Sequence, residues 1–460
     1  MSNSIQTINP FTEQTLNEYN LMDLQGAENA VNKSNDCFAE WKLVPVKQRI
    51  KLANALAEVI EKNRDELVQL MVSEMGKVKS QGESEVTLCA NICKYTVNIA
   101  EQALANETRE YEGGKAIISY QPIGVILGIQ PWNFPLYQVI RYSITNLIAG
   151  NTTVMKHASN VFGMAEKIQS LYEEAGFPKN AYQSLLIDGK TASALISHQA
   201  IKGVTFTGSD KVGKKVAEEA AKRSKKTVLE LGSNDAYIVL DDADIQLAIE
   251  TCVLGRVVNN GQTCVSAKRF IVTESNYDKF KDGFTKAMSQ LKTGDPEAED
   301  TDIGPMARKD LREKLHQQVT ESIENGASVV CGCEIPEGKG YFYPASILEN
   351  VTPGMPAYDD ELFGPVASLI KAKDNEDAMR IANDSRYGLG GGIFSKDEDK
   401  ATELAIKHFD TGMVNINGIA LSQPNLPFGG VKSSGYGREH GGFGIKEFVN
   451  IKSVMVAKNS

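Results

Sequence analysis

Three stretches place polar residues where packing alone would not favour them, and the residue types suit one another chemically. "NNGQTCVSAKRF" (259–270) ends a polar Asn-Gly-Gln run on Cys264. "LELGS" (229–233) sets Glu230 inside an apolar strand end, and "PWNFPLYQVIR" (131–141) sets Asn133 ahead of Phe134-Pro135. A thiolate that adds to a carbonyl creates an oxyanion, which an Asn133 amide and a backbone N–H could hold. A semi-buried carboxylate has its pKa raised and can activate water as a general base. Each residue also has a plainer reading. Asn133 fits the cap of a helix whose first turn takes the proline, Glu230 fits a salt bridge, and Cys264 fits a core thiol. Gly261 and Asn259-Asn260 weigh against the last, because such a turn leaves sulfur accessible.

These groups must be positioned by regular elements. Residues 45–105 repeat apolar side chains at three and four, the pattern of long helices. "KAIISYQPIGVILGIQ" (115–130) reads as a strand pair hinged at Gln121-Pro122. Strand-like and helix-like segments then alternate, and the cadence resumes after Cys264. This predicts an α/β fold with parallel sheets, in two domains joined near 230–233. No G-x-G-x-x-G follows a strand and no G-x-x-x-x-G-K-[ST] occurs. "VTFTGSDKVGKK" instead ends a strand at Phe206, turns at Thr207-Gly208-Ser209 and starts a helix near Asp210. Its free N–H groups suit a pyrophosphate, although a capped strand–helix turn is the alternative. Lys156, in "VMKHASN", lies at the carboxyl end of another strand, where ligands of open sheets collect and where lysines are also simply solvated.

The chain has 460 residues, 42% of them hydrophobic, and a formal net charge of −10, so it offers no footprint for nucleic acid or an anionic membrane. Its start lacks a basic and apolar leader and no 18 apolar residues run together, which predicts a soluble cytoplasmic protein. Seven cysteines, an odd number, predict reduced thiols. Cys331-Gly-Cys333 has no second pair at ligand spacing, so no metal is expected. Cys89 and Cys93 read as helix-core residues.

Taken together, "PWNFP", "MKHAS", "FTGS", "LELGS", "GQTC", "ELFGP" (361–365), "YGLGGGIFS" (387–395) and "PFGGVKSSGYGREHG" (427–441) resemble the aldehyde dehydrogenase superfamily over essentially the whole chain. The resemblance implies two Rossmann-related α/β domains plus a small β oligomerisation arm. Residues 1–103 and 123–232 would bind the dinucleotide, 233–433 would carry the nucleophile, and 104–122 with 434–460 would form the arm and a C-terminal return. It implies Cys264 as nucleophile, Asn133 as oxyanion donor and Glu230 as base for the acyl-enzyme. Trp132, Lys156, Ser159, Gly208, Ser209, Glu361 and Phe363 would contact the cofactor. The arm is usually exchanged between subunits, so a homodimer or homotetramer is expected.

The family commonly continues the glutamate motif with Gly-Lys; this chain has Ser233-Asn234. That departure, with "GQTCVSAKRF" and "ELGSNDAYIVLDDAD", most resembles the shorter bacterial succinate-semialdehyde dehydrogenases. Four-residue steps from Asn133 reach Tyr137 and Arg141, so all three could face one way and Arg141 could clamp a distal carboxylate. A structural ion pair is the alternative for Arg141, and Gln138 and Ser422 are further candidates. Glutarate semialdehyde, lactaldehyde or an aliphatic aldehyde are alternative substrates. Ser159 stands where NAD-preferring relatives often carry Glu, which favours NADP with NAD also used. Rival activities are a thiol esterase or acyltransferase, which needs a histidine base, a CoA-acylating enzyme, which would lack Glu230, and a non-catalytic role.

Overall fold

The computed structural model describes residues 4–458. Two parallel sheets dominate it, each with apolar cores on both faces. In the first sheet the strands run in the order Lys226–Glu230, Ile201–Thr207, Val125–Gln130, Thr152–His157 and Tyr182–Ser184, all parallel. Gly435–Tyr436 returns antiparallel against Leu229 and Glu230. In the second sheet Ala236–Val239 lies between Arg269–Thr273 and Gly391–Phe394, and Val366–Ala372 follows on the far side of Arg269–Thr273. Strands covered on both faces read as unbroken apolar runs, as "AYIV" and "RFIVT" do. Glu230 therefore ends a strand of one sheet, and Ala236 begins a strand of the other.

The helix Tyr137–Ala149 packs between the first sheet and the helices Val46–Lys62 and Lys79–Ala103. All 13 of its residues are buried, so its polar side chains must find partners inside the protein. Close approach to the sheet needs Gly128, where a Cβ would lie 2.2 Å from Tyr142 Cζ.

The two strands expected across 115–130 do not pair with each other: Val125–Gln130 belongs to the first sheet, and Gly114–Pro122 joins an antiparallel arm. Gly114–Pro122 pairs with Glu107–Tyr111 on one side and with Val449–Ala457 on the other, both within the chain. The outer strand exposes Ile451, Val454 and Met455. Among the described residues no helix is long and apolar enough to cross a membrane.

The first sheet changes winding direction between Val125–Gln130 and Ile201–Thr207, whose neighbours in sequence lie to opposite sides. Loops leaving the carboxyl ends of these two strands open a crevice there. Those loops are Pro131–Leu136 and Gly208–Ser209.

Candidate active site

Cys264 sits in the turn between the helix Ile245–Val257 and the strand Arg269–Thr273. Three successive residues before it are left-handed: Asn259 (φ 57°), Asn260 (φ 56°) and Gly261 (φ 72°). Asparagine tolerates that region and glycine prefers it. Gly261 has a second reason, since a Cβ would meet the Gly364 carbonyl carbon at 2.3 Å. The polar run is not a solvated turn, as its composition suggests, because Asn259, Asn260, Gln262 and Thr263 are all buried. Their side chains replace water for backbone groups. Asn260 donates to Gly76 O (2.8 Å) and Pro305 O (3.0 Å) and accepts from Gly304 N (2.8 Å). Asn259 Nδ2 donates to Asn133 O at 2.8 Å. Cys264 itself remains partly accessible.

Asn133 lies beside this loop, and its Nδ2 donates to Gln262 O at 3.1 Å. It does not cap the following helix, which begins at Tyr137. The N–H groups of Leu136 and Tyr137 are taken by Glu85 Oε1 at 3.0 and 2.9 Å, and Glu85 is paired with the fully buried Lys77. A buried carboxylate outcompetes an amide at the positive helix end, which frees the Asn133 side chain for the cavity.

Glu230 is buried, and neither carboxylate oxygen has a hydrogen-bond partner among the described residues. Burial pushes its carboxyl well above the usual range; Arg141 and Arg438 oppose the shift, while Glu439 and Glu447 add to it.

Arg141 is a correction to the expected carboxylate clamp. It is 1% exposed, pairs through Nε with Glu439, and donates to Thr207 Oγ1 (3.0 Å) and Tyr137 Oη (3.3 Å). A guanidinium this buried needs a counter-charge, and Glu439 supplies it. Tyr137 Oη is likewise bonded to Ser422 Oγ (2.9 Å) and His440 Nε2 (3.0 Å). Tyr137 and Arg141 do share a helix face, but Asn133 precedes the helix, so the four-residue step does not extend to it. Gln138 is the helix residue that reaches the cavity, and its buried Oε1 has no partner among the described residues.

A cavity of about 350 Å³ joins Asn133, Gln138 and Cys264 to Trp132, Phe363 and Glu361 and extends to Gly208 and Ser209. Trp132 and Phe363 meet edge to face at 5.8 Å. Glu230 lies just behind, at the residue before the lining Leu231 and Gly232. Its charge reaches the Cys264 thiol.

The residues present fit a dinucleotide. Ser209 caps the helix Asp210–Ala221, and the N–H groups of Ser209, Asp210 and Lys211 have no acceptor among the described residues. Lys156 and Ser159 do not line the cavity but lie at the carboxyl end of the adjoining strand and just beyond it, where Lys156 is half-buried and its ammonium has no hydrogen bond or ion pair among the described residues. Burial lowers its pKa, and Asp188 opposes the shift. Among the described residues no group of three or more His, Cys, Asp or Glu could hold a metal.

Sequence reading missed Lys268, whose Nζ lies 3.3 Å from Glu361 Oε1 and 2.6 Å from Cys264 O. A lysine directly before the apolar strand "RFIVT" carries the same signal that singled out Glu230. It also missed the helix face Leu311, Lys314 and Gln318 along one cavity wall, which only tertiary structure turns inward.

The sequence pattern of the aldehyde dehydrogenase family matches residues 1–454. A probable succinate-semialdehyde dehydrogenase [NADP(+)] of Synechocystis sp. is 42% identical over 99% of this chain and 100% of its own. A succinate semialdehyde dehydrogenase [NAD(P)+] of Escherichia coli is 40% identical over 97% of both chains. The crystal structure of succinic semialdehyde dehydrogenase from Streptococcus pyogenes in complex with NADP+ superposes with a TM-score of 0.96 at 37% identity, covering 98% of this chain and 100% of that one.

Burial pushes the Cys264 thiol up to about 12; Lys268 and Arg141 oppose this, and Glu361 and Glu230 add to it. The thiolate fraction of the cofactor-free protein should therefore keep rising through the alkaline range. Iodoacetamide labelling of the Cys264 peptide, followed by mass spectrometry, is expected to accelerate steadily with pH; a plateau near neutrality would contradict this environment.

Proposed function

We infer the activity of this chain from one premise: it belongs to the aldehyde dehydrogenase family. The reading is oxidation of succinate semialdehyde to succinate with NADP, and with NAD as a poorer alternative. The observation that carries it is the single cavity on which Cys264, Asn133, Gln138 and the Gly208-Ser209 turn converge, with Glu230 buried behind. The substrate and cofactor follow the relatives' own assignments, supported by Ser159 three residues after Lys156, whose ammonium has no partner among the described residues.

The Cys264 thiol loses its proton to solvent, the thiolate sulfur adds to the aldehyde carbon, and the carbonyl oxygen takes up the negative charge. Asn133 Nδ2 can share a hydrogen with that oxygen, and the Cys264 N–H has no acceptor among the described residues, so it is free to do the same. A dinucleotide held at Ser209, Glu361 and Phe363 would supply the acceptor for the hydride of the former aldehyde carbon. Cys264 then carries a thioester. Glu230 takes a proton from water, the resulting hydroxide adds to the thioester carbonyl, and the carbon–sulfur bond breaks to give acid and free thiol. Burial of the Glu230 carboxyl places its loss of a proton above the ordinary carboxylate range, so this half-reaction speeds up as pH rises.

Reduced thiols match a cytoplasmic setting, and all seven cysteines are free. The arm's exposed apolar edge suits pairing with another copy of the chain.

Cys264→Ala should abolish aldehyde oxidation while leaving NADP binding intact. Glu230→Gln should form one equivalent of NADPH per site, seen at 340 nm, and then stall, losing the alkaline rise in kcat; continued turnover would remove Glu230 from the role of base.

Gln138 presents the open polar atoms of the substrate side, so Gln138→Leu should raise KM for succinate semialdehyde roughly tenfold, the worth of about one hydrogen bond, and spare butanal. Equal effects on the two aldehydes would contradict carboxylate recognition there. The ratio of kcat/KM for NADP and NAD should favour NADP in the wild type and fall in Ser159→Glu; a wild-type preference for NAD would reject the cofactor assignment.

A further inference from the structure

The cavity does not explain why a lysine is sealed beneath the nucleophile. Lys268 is 1% exposed. Its Nζ meets Cys264 O (2.6 Å), Thr263 O (3.1 Å) and Ser266 O (3.4 Å), and stands 3.3 Å from Glu361 Oε1. Burying an ammonium costs several kcal/mol unless it is closely paired, and here the acceptors all belong to the nucleophile loop or to the carboxylate on the cofactor side of the cavity.

Peptide planarity gives these contacts a direction. In a trans peptide the C=O and N–H point opposite ways. Thr263 O is held by Lys268, by Ser266 Oγ (2.8 Å) and by Ser266 N (3.3 Å). The N–H of the same peptide, on Cys264, has no acceptor among the described residues. The next peptide repeats the arrangement, with Cys264 O on Lys268 and the Val265 N–H without an acceptor. A second buried cation, Arg256, takes Gly261 O at 2.7 Å and Ser266 Oγ at 2.9 Å. Left alone, a loop with unpartnered N–H groups would turn them toward any interior carbonyl, because an unmet buried donor is costly. The carbonyls are unavailable because cations already hold them.

We propose that Lys268 is a positioning residue for the reaction, turning the Thr263 and Cys264 carbonyls inward so that the Cys264 N–H stays aimed away from the protein's own acceptors, and tying this loop to Glu361. The proposal rests on the reading of Cys264 as nucleophile. It makes the loop and Glu361 share one ammonium, so a change at Glu361 is felt at the sulfur. The charged groups that bear on Cys264 are Lys268, Glu361, Arg141 and Glu230.

Three variants test this in the cofactor-free protein, by iodoacetamide labelling of Cys264 at one mildly alkaline pH, and in the complete assay. Lys268→Met keeps the length and removes the charge. Its labelling should slow by about tenfold, the effect of one pKa unit, and kcat should fall by ~10², as for a lost oxyanion donor, with little change in the aldehyde KM. Mere loosening of the loop would do the reverse and speed labelling. Glu361→Gln should speed labelling, since it removes an opposing carboxylate. Lys268→Arg should restore the labelling rate that Lys268→Met loses.

Wild-type labelling and kcat in Lys268→Met, or faster labelling, would overturn the proposal. If Lys268→Met does not fold, Glu361→Gln decides, and unchanged or slower labelling there overturns it. Full oxidation by Cys264→Ala would instead overturn the reading of the site itself, so the two failures are distinguishable.

Discussion

The site depends on buried carbonyls that have no water to meet them. Residues 259–266 are buried apart from the partly accessible Cys264, and every inward carbonyl there requires a protein donor. Asparagine amides and two buried cations provide the donors. Asn259 Nδ2 bridges Gln262 O and Asn133 O, while Asn133 Nδ2 returns to Gln262 O. The Cys264 loop and the loop after Val125–Gln130 are thereby held by reciprocal hydrogen bonds, although they adjoin strands of different sheets. Loop position follows from hydrogen-bond satisfaction more than from packing, which explains how a partly accessible thiol can sit on a rigid turn.

The same constraint accounts for the buried charges around it. Lys77 pairs with Glu85, Arg141 with Glu439 and Lys268 with Glu361, and each pair also meets neutral groups. Glu85 holds two helix N–H groups, Arg141 holds Thr207 and Tyr137, and Lys268 holds loop carbonyls. Ion pairs of this kind add little net stability over apolar substitutes, but losing one partner leaves a costly lone charge. They fix geometry. Glu230 differs, with both oxygens buried and without a hydrogen-bond partner among the described residues. Asn133 Oδ1 and Gln138 Oε1 at the cavity are likewise without a partner among the described residues, so the unmet polar atoms gather where the proposed chemistry needs them.

Much of this was legible in the sequence, for identifiable reasons. Both parallel sheets show as apolar runs between helical segments, because period and burial are local properties of the chain. Cys264, Glu230 and Asn133 stand out because their types conflict with their surroundings. What stayed hidden depends on distant partners. The helix starts at Tyr137 because a carboxylate 51 residues before Leu136 caps it, and no local rule contains Glu85. Arg141 reads as a substrate clamp until the fold brings Glu439 to its guanidinium. The polar run at 259–263 reads as exposed because its acceptors, Gly76 and Pro305, lie far away in the chain.

One consequence of crowding acids around a thiol concerns the order of events. Glu230 and Glu361 both raise the Cys264 thiol, and burial raises Glu230 as well. Negative charge on Glu230 and on the sulfur therefore oppose each other in a pocket whose dielectric screens weakly. With the thiol free, keeping Glu230 protonated favours the thiolate that must attack. Once the sulfur is bound in a thioester it carries no charge, the repulsion ends, and Glu230 can ionise and accept a proton from water. On the proposed reading, a single anionic charge alternates between nucleophile and base, each appearing at the step that uses it, and Arg141, whose charge bears on both groups, favours either anion.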